Sequence, residues 1–204
     1  MQAQQINKNE PMNYCSECAS PVELRIPDGD HLPRHVCTAC ELIHYSNPRI
    51  IAGCLPVYED KVLLCKRDIE PRLGYWTLPA GFLENGETTE QGAMRETMEE
   101  AQARVEILSL YTLTSIVHVN QVQMFYLARL LKPEFGPTSE SSEVRLFTED
   151  EIPWDQLAFP TVVNALQRFF ADRRESGRYP FYRISLNRHE PETNAVLSQS
   201  EVTL

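Results

Sequence analysis

Two cysteine pairs constrain the start of the chain more than any other feature. Four of the six cysteines form the pattern C-x2-C-x18-C-x2-C, namely Cys15, Cys18, Cys37 and Cys40. Two CxxC pairs at this separation are typical of a zinc site in a reducing compartment, and two disulfides are the alternative. Few apolar residues lie between the pairs, so bound zinc must supply the folding energy, on the order of 10 kcal/mol. The pattern predicts a zinc ribbon over residues 14–45, with a hairpin turn at 27–30.

The pattern changes after residue 46, where apolar runs typical of buried strands alternate with two helical segments. We predict strands at 50–58, 61–67, 104–117 and 121–131, and helices over 88–103 and from Pro160 to about Gly177. Strands interleaved with helices predict an α/β domain over residues 46–176. The remaining cysteines, Cys54 and Cys65, lie in the strand-like runs and are predicted to be small core residues. Residues 177–204 form a C-terminal extension, and residues 186–204 within it are predicted to be a polar tail without a pattern.

The first helix has a clear start and a predicted buried face. Thr88 is followed three residues later by Gln91, which fits a capping box. Helical spacing predicts an inner stripe made of Ala93, Met94, Thr97, Met98 and Ala101.

Length and charge exclude several classes of protein. The chain has 204 residues, which is enough for one full domain and a small module. No apolar run approaches the roughly 20 residues that a membrane span needs. The first residues lack the apolar region of a secretory signal, so we expect a cytoplasmic protein. The net charge of -10 disfavours nucleic acid and anionic membranes as partners, while a local metal site still allows an anionic substrate.

A group of glutamates on the first helix carries the predicted chemistry. Glu96, Glu99 and Glu100 are spaced three and four residues apart, so they crowd one helix face. Such like charges need a positive partner, and the candidates are Arg95, four residues before Glu99, and a divalent metal. Oxygen donors without His or Cys suit Mg²⁺ or Mn²⁺. A solvated helix face is the alternative interpretation.

The loop that leads into this helix favours a phosphate substrate. Residues 81–87 read G-F-L-E-N-G-E and deliver the chain to a helix N-terminus, which attracts anions. Carboxylates that hold a metal beside an anion site are typical of phosphate chemistry. Since no Ser or Cys here has an adjacent base, we predict hydrolysis by activated water.

The segment from Gly81 to Ala103 resembles the Nudix box, G-x5-E-x7-R-E-U-x-E-E-x-G-U. The resemblance implies an α/β/α sandwich around a mixed sheet, behind the small zinc ribbon. It implies that Glu96, Glu99 and Glu100 ligate magnesium, that Arg95 orients them, and that Gly81 and Glu87 shape the loop. Thr97 is smaller than the usual residue of the motif, Gln102 replaces its glycine and Ala103 is a small version of its last residue. A left-handed Gln102 would cost about 1 kcal/mol.

A wider resemblance suggests the substrate. A zinc ribbon before a Nudix domain is similar to the NADH pyrophosphatase group, but the S-Q-P-W-P-F-P-like motif of that group is missing here. The chain is more similar to the plant chloroplast FAD pyrophosphatase type, through Asn47-Pro48, residues 62–67 and 76–81, and Leu157-Ala158-Phe159. This likeness implies FAD, cleaved to FMN and AMP, or ADP-ribose, as the small-molecule substrate. It also implies a homodimer.

Residues outside the box are weaker candidates. Arg49 and Arg67 are candidates for holding phosphates, or else serve surface solubility. The aromatic residues Trp76, Phe82 and Tyr111 either stack on substrate rings or belong to the core. Glu143 is either a general base or further metal ligand, as late glutamates are in some relatives, or a surface residue. These assignments stay expectations at this point.

Two alternatives remain open. Another Nudix chemistry would be hydrolysis of NADH or NAD, or removal of NAD caps from RNA. A different class would be a nucleic-acid-binding regulator, with a zinc ribbon and a non-catalytic Nudix domain. The net charge and the intact glutamate cluster disfavour the second alternative.

Overall fold

The computed structural model describes residues 12–187 and 190–198. The chain divides into two compact units, the first ending at Pro48 and the second beginning at Arg49. The predicted limits of the ribbon, the domain and the C-terminal extension stay predictions. Residues 1–11, on which the expectation about a leader depends, lie outside the described residues. Within the part that is described, no helix is sufficiently long and apolar to cross a membrane.

The first unit is a small antiparallel sheet with strand order β1-β2-β3. Its strands are β1 (Val22–Arg25), β2 (Arg34–Cys37) and β3 (Ile43–His44). The predicted turn joins β1 to β2, and the Asp30 amide donates a hydrogen bond to the Pro27 carbonyl at 3.1 Å. Gly29 has a φ of 83°, a conformation that glycine adopts without strain. The predicted hairpin is therefore confirmed.

The second unit contains a mixed sheet with two helices. Its strands are β4 (Arg49–Tyr58), β5 (Lys61–Arg67), β6 (Trp76–Thr77), β7 (Ala80–Phe82), β8 (Val105–Ile116), β9 (Gln121–Leu130), β10 (Ser141–Phe147), β11 (Phe181–Asn187) and β12 (Glu190–Ser198). They follow the order β10-β5-β4-β9-β8-β11-β12, while β6 pairs with β5 and β7 pairs with β4. The pairs β4–β9 and β8–β11 are parallel, and the other pairs are antiparallel.

Successive side chains of the central strands pack alternately in two separate hydrophobic cores. On β4, Leu55 and Val57 belong to one core, and Ala52 and Cys54 to the other. The first core contains helix α2 (Pro160–Glu175), and the second contains helix α1 (Thr89–Ala101). Two cores on alternating positions of one strand mean that the helices cover opposite faces of the sheet. The predicted α/β/α sandwich around a mixed sheet is confirmed.

The start of α1 is as predicted, but part of its predicted inner stripe is wrong. Thr88 and Gln91 form the capping box. Met94 and Met98 are exposed, however, at 37% and 39%. Buried residues in their stead include Glu96 and Glu100. The helix therefore turns a charged edge inward, which a purely hydrophobic pattern does not reveal.

The polar tail predicted after residue 185 is also corrected. Strand β11 extends through Asn187 and pairs in parallel with β8, and β12 pairs with β11 in antiparallel fashion. The apolar side chains of Tyr182 and Ile184 are buried, whereas the intervening Arg183 is exposed. A short strand with one polar face at a sheet edge gives only a weak sequence signal. Residues 188–189 and 199–204 of the predicted tail lie outside the described residues.

Candidate active site

The four cysteines of the first unit converge on one point. Their sulfurs all lie within 4.8 Å of one another, and in the described ranges no other group of three or more His, Cys, Asp or Glu meets that criterion. The distances between sulfurs include 3.7 Å for Cys15–Cys40 and 3.4 Å for Cys18–Cys37. A tetrahedron with zinc–sulfur bonds of about 2.3 Å places its sulfurs about 3.8 Å apart, whereas a disulfide needs about 2.05 Å. The donor set fits zinc, in agreement with the sequence.

The loop before α1 is held by Glu87. Its carboxylate accepts a hydrogen bond from the Glu84 amide at 2.8 Å and two from the Arg95 guanidinium, at 2.8 and 3.0 Å. These donors lower the pKa of Glu87 to about 2. The carboxylate is therefore charged at neutral pH, and it ties the loop to the middle of the helix.

Arg95 connects the loop to the glutamates. One of its terminal nitrogens donates to Glu96 at 2.8 Å and to Glu99 at 3.0 Å. The other also donates to the Phe82 carbonyl at 3.1 Å. The planar guanidinium uses its fork of donors to hold several oxygens in fixed directions. The predicted orienting role of Arg95 stays a prediction, and this geometry supports it.

Glu96 and Glu100 are buried carboxyl groups, only 8% and 6% exposed. Burial raises the pKa of both, and that of Glu100 reaches about 8. The Ala80 amide, which donates to Glu100 at 3.2 Å, opposes the shift, while the nearby charge of Glu96 adds to it. Glu99, by contrast, is half exposed. The protein keeps two carboxyl groups in a setting that disfavours their charged forms unless a cation is present.

These carboxyl groups line a cavity of about 800 Å³ in the second unit. Glu96, Glu99 and Glu100 line it together with Gly81. Its lining also has an apolar part, made of Ile51, Ile69, Phe82, Ile116, Phe159 and Leu186. A concave site with a broad apolar surface and a few polar groups is the usual form of a small-molecule site.

Three of the predicted substrate-binding residues line this cavity: Arg67, Gly81 and Phe82. Phe82 is 47% exposed, which leaves its ring accessible. Arg49 lies beside it, with its guanidinium carbon 5.2 Å from the Phe82 ring centre. Arg67 lies 5.3 Å from the ring centre of Phe159 and donates to the Pro71 carbonyl.

Four other predicted site residues, Arg49 among them, do not line the cavity. Tyr111 is fully buried and donates its hydroxyl hydrogen to Asp172 at 2.7 Å. Trp76 packs edge-on against Phe147 in the core, with ring centres 4.9 Å apart. Tyr111 and Trp76 therefore lie in the core, which was the alternative to stacking on a substrate ring. Glu143 is not part of the cavity lining, and its carboxylate lies 3.7 Å from the Lys66 ammonium.

Sequence reasoning missed several lining residues. Glu140 lines the cavity and contributes to the raised pKa of both Glu96 and Glu100. Gln123 and Thr161 line it too, and both are buried. Glu140 carried a weak signal, because it belongs to the acidic loop before β10. Gln123 carried none, since a single polar residue in a strand gives no indication of which face it occupies.

The donor set at the glutamates fits Mg²⁺ or Mn²⁺. All candidate ligands are carboxylate oxygens, and two of them are buried groups whose charge a divalent cation would stabilise. Glu96, Glu99 and Glu100 would hold the ion. Their carboxylates are not gathered as closely as the cysteine sulfurs, because Arg95 engages Glu96 and Glu99. Gly81 leaves the Glu96 carboxylate the space that a side chain would fill.

The end of α1 accommodates the departure at Gln102. This residue has a φ of 53°, the left-handed conformation for which the family pattern has glycine. Its side-chain amide donates to the Pro137 carbonyl at 2.8 Å. The hydrogen bond offsets part of the strain of about 1 kcal/mol. The helix therefore ends at the position that the motif predicts, although this chain has Gln102 there in place of glycine.

Comparison with known families gives two matches. Residues 13–46 match a zinc-ribbon family described as Nudix N-terminal, and residues 47–171 match the family described as NUDIX domain. The structure of a NUDIX hydrolase from Nitrosomonas europaea is 52% identical, with a TM-score of 0.84, and covers 87% of this chain and 100% of that chain.

Two curated relatives differ in the substrates for which they are named. An NAD-capped RNA hydrolase, NudC, from Vibrio vulnificus is 29% identical over 149 residues, 71% of this chain and 54% of the relative. An ADP-ribose pyrophosphatase from Methanocaldococcus jannaschii is 28% identical over 121 residues, 56% of this chain and 69% of the relative. The chain spans about half the length of the NudC relatives that it matches.

Proposed function

The chain belongs to the NUDIX domain family, and from that premise we propose that it hydrolyses the pyrophosphate bond of a nucleoside diphosphate linked to another moiety. The observation that carries the proposal is the pair of buried carboxyl groups, Glu96 and Glu100, in the lining of an 800 Å³ cavity. Two buried carboxyl groups lower the stability of a fold, so their presence in a cavity lining indicates a function such as binding a cation. The two carboxyl groups lie beside the loop–helix junction, where a pyrophosphate would be stabilised most by a metal ion that they hold.

The roles of the residues follow from their contacts. Glu96, Glu99 and Glu100 would hold the metal, which when bound would supply positive charge for the phosphate oxygens and activate a water molecule. Arg95 fixes the direction of Glu96 and Glu99, and Glu87 fixes Arg95. Arg67 supplies positive charge to the same cavity for the phosphate oxygens. A carboxylate accepts the proton of the attacking water, and Glu140 and Glu143 are the candidates outside the helix.

The proposed substrates are FAD, which would give FMN and AMP, and ADP-ribose. Both contain ADP joined to a second group, and the apolar part of the cavity suits a ring system. The sequence likeness to the plant FAD pyrophosphatase type supports FAD. The named activity of the Methanocaldococcus jannaschii relative supports ADP-ribose. Phe82, with its accessible ring, is the proposed stacking residue for either substrate.

A second candidate is hydrolysis of NADH or NAD, or removal of NAD caps from RNA. The relatives named NudC favour this candidate. NAD carries the same ADP group, so the proposed chemistry would be unchanged. A capped RNA would add a polyanion, which the net charge of -10 opposes. Discrimination between a free dinucleotide and a capped RNA therefore tests this candidate.

The deciding experiment follows product release by chromatography, with Mg²⁺ and with a chelator. FAD, ADP-ribose, NADH and an NAD-capped RNA are offered in parallel. We expect metal-dependent release of FMN and AMP from FAD, or of AMP from ADP-ribose. Turnover of NADH or capped RNA alone would keep the chemistry and contradict the substrate. No turnover of any of them, with retention of RNA at modest salt, would favour the nucleic-acid-binding regulator.

We also propose that the protein is a cytoplasmic homodimer with structural zinc in its ribbon. Light scattering tests the assembly, because a monomer would have a mass of 23.4 kDa. A monomeric mass over a wide range of protein concentration would contradict the dimer.

A further inference from the structure

One part of the cavity lining comes from a continuous patch of the sheet. Phe82 on β7 pairs with Ile51 on β4, and Ile51 pairs with Gln123 on β9. Directly paired residues present their side chains on the same face of a sheet. All three line the cavity. They form one row across three strands, with Gln123 as its polar member.

A second row lies two residues along the strands, on the same face. Gln121 on β9 pairs with Ile116 on β8, and Ile116 pairs with Leu186 on β11. These three residues also line the cavity. Gln123 therefore has Ile51 and Thr114 as its direct cross-strand neighbours, with Ile116 diagonally opposite and the ring of Phe82 at the end of its row.

Gln123 is unusual for a residue in the interior of a central strand. The residue is only 7% exposed, and it lines the cavity. Its side-chain amide makes no hydrogen bond to another of the described residues, and its polar atoms are not sealed off from the cavity. A polar group that opens into an otherwise apolar part of a cavity is the usual means by which a small-molecule site fixes the orientation of its ligand. Its amide offers a donor and an acceptor in one plane.

We propose that Gln123 recognises the hydrogen-bonding edge of adenine and so determines specificity for substrates that contain ADP. This inference rests on the proposed function. Adenine presents its exocyclic amine as a donor beside a ring nitrogen that accepts, which is the pattern that a glutamine side chain pairs with through two hydrogen bonds. The apolar rows would contact the faces and rim of the ring. The ring of Phe82 is available for stacking.

The test combines a variant of the protein with a variant of the ligand. Binding of ADP and of purine riboside diphosphate, which lacks only the exocyclic amine, is measured by calorimetry with Mg²⁺. We expect the wild-type protein to bind ADP about tenfold more tightly than the analogue. Gln123→Leu should bind the two ligands equally, because a leucine side chain cannot accept a hydrogen bond from the exocyclic amine of ADP. In turnover of ADP-ribose, the variant should raise KM about tenfold and leave kcat nearly unchanged.

A neighbouring variant controls for packing. Thr114 pairs with Gln123 in the sheet and is buried, but it does not line the cavity. Thr114→Val should keep the preference for ADP, and melting temperatures of both variants verify that they fold. If folded Gln123→Leu still prefers ADP tenfold, the inference is wrong. If it weakens binding of FMN but not of ADP, the flavin edge binds there and adenine is excluded.

The outcomes also separate this inference from the proposed function. A wild-type protein that hydrolyses ADP-ribose, with an unchanged preference in Gln123→Leu, overturns the inference alone. A wild-type protein that neither binds ADP nor releases products from any substrate overturns both.

Discussion

Gly81 and Glu96 are packed so closely that a side chain at position 81 would displace the Glu96 carboxylate. A Cβ atom added to Gly81 would lie 2.3 Å from the carboxyl carbon of Glu96 and 2.3 Å from one of its oxygens. Gly81 lies on β7, and Arg95 donates a hydrogen bond to the Glu96 carboxylate at 2.8 Å. The glycine therefore fixes where the Glu96 carboxylate can lie.

We predict that Gly81→Ala lowers kcat by about a hundredfold, because a displacement of about 1 Å at a catalytic group has that effect. Metal affinity should fall as well. The rate is measured on the substrate that the protein hydrolyses, and metal affinity by calorimetry.

Gly177→Ala provides the control for a general effect of replacing glycine. Gly177 has a φ of 67°, and no atom lies near the position of an added Cβ. The variant should lose about 1 kcal/mol of stability through backbone strain and keep its rate. Equal activity of Gly81→Ala and the wild-type protein would exclude the proposed role of Glu96.

Arg95→Lys tests whether the fork of donors matters more than the charge. Lysine keeps the positive charge but cannot donate to Glu87, Glu96 and Glu99 in the same fixed geometry. Residues that orient metal ligands typically contribute 10- to 100-fold to metal affinity or activity, so we expect a loss of about that size. Activity is measured over a range of Mg²⁺ concentrations. Wild-type activity in the lysine variant would show that charge alone suffices.

Glu140→Gln and Glu143→Gln compare the two candidates for proton acceptor. The sequence suggested Glu143, whereas Glu140 is the one that lines the cavity. We expect the larger loss of kcat in Glu140→Gln, of about 10²-fold if it is the base. Glu143 is half exposed beside Lys66, and its replacement should change kcat little. The opposite ranking would support the assignment made from the sequence.

The sequence was sufficient wherever local chemistry decides the structure. The capping box at Thr88 fixed the start of α1, and the two CxxC pairs indicated the cysteine cluster. The spacing of the glutamates indicated that they share a helix face. These signals lie within short segments, so they require no knowledge of the tertiary fold.

The rest depended on packing between distant segments. Tyr111, on β8, was a candidate for stacking, but its partner Asp172 comes from helix α2, and their hydrogen bond holds Tyr111 in the core. Gln123 gave no signal, because its neighbours in the sheet come from the distant strands β4 and β8. Glu143 and Glu140 are only three residues apart, and the register of β10 on β5 decides which one reaches the cavity.

Cys18→Ser should release zinc from the first unit. With one of the four sulfurs lost, the site no longer has a complete tetrahedral set of ligands. We expect a loss of bound zinc and a ribbon that unfolds at a lower temperature, measured by metal analysis and calorimetry. Cys54→Ser is the matched control, since Cys54 is buried in the second unit and does not belong to the cluster of four cysteines. Full zinc content in Cys18→Ser would contradict the assignment.

The raised pKa of Glu100 predicts how stability and activity depend on pH. In the absence of metal, burial raises the pKa of Glu100 from 4.5 to about 8. Between these values the folded protein keeps a proton that the unfolded chain has lost. The contribution of Glu100 to the stability of the metal-free protein should therefore be largest below pH 4.5, and it should decrease as pH rises towards 8. The fall is at most about 1.4 kcal/mol per pH unit.

Glu100→Gln cannot ionise, so it isolates this contribution. In a chelating buffer, the variant should be more stable than the wild-type protein at pH 8, and the difference should shrink as pH falls towards 4.5. Added Mg²⁺ should stabilise the wild-type protein more than the variant, because the variant keeps only two of the three carboxylates that would hold the ion. At limiting Mg²⁺, wild-type activity should rise with pH up to about 8, and saturating Mg²⁺ should move the rise to lower pH. Equal pH dependence of unfolding in both proteins would show that Glu100 is charged without metal, and would remove the argument that a cation is needed there.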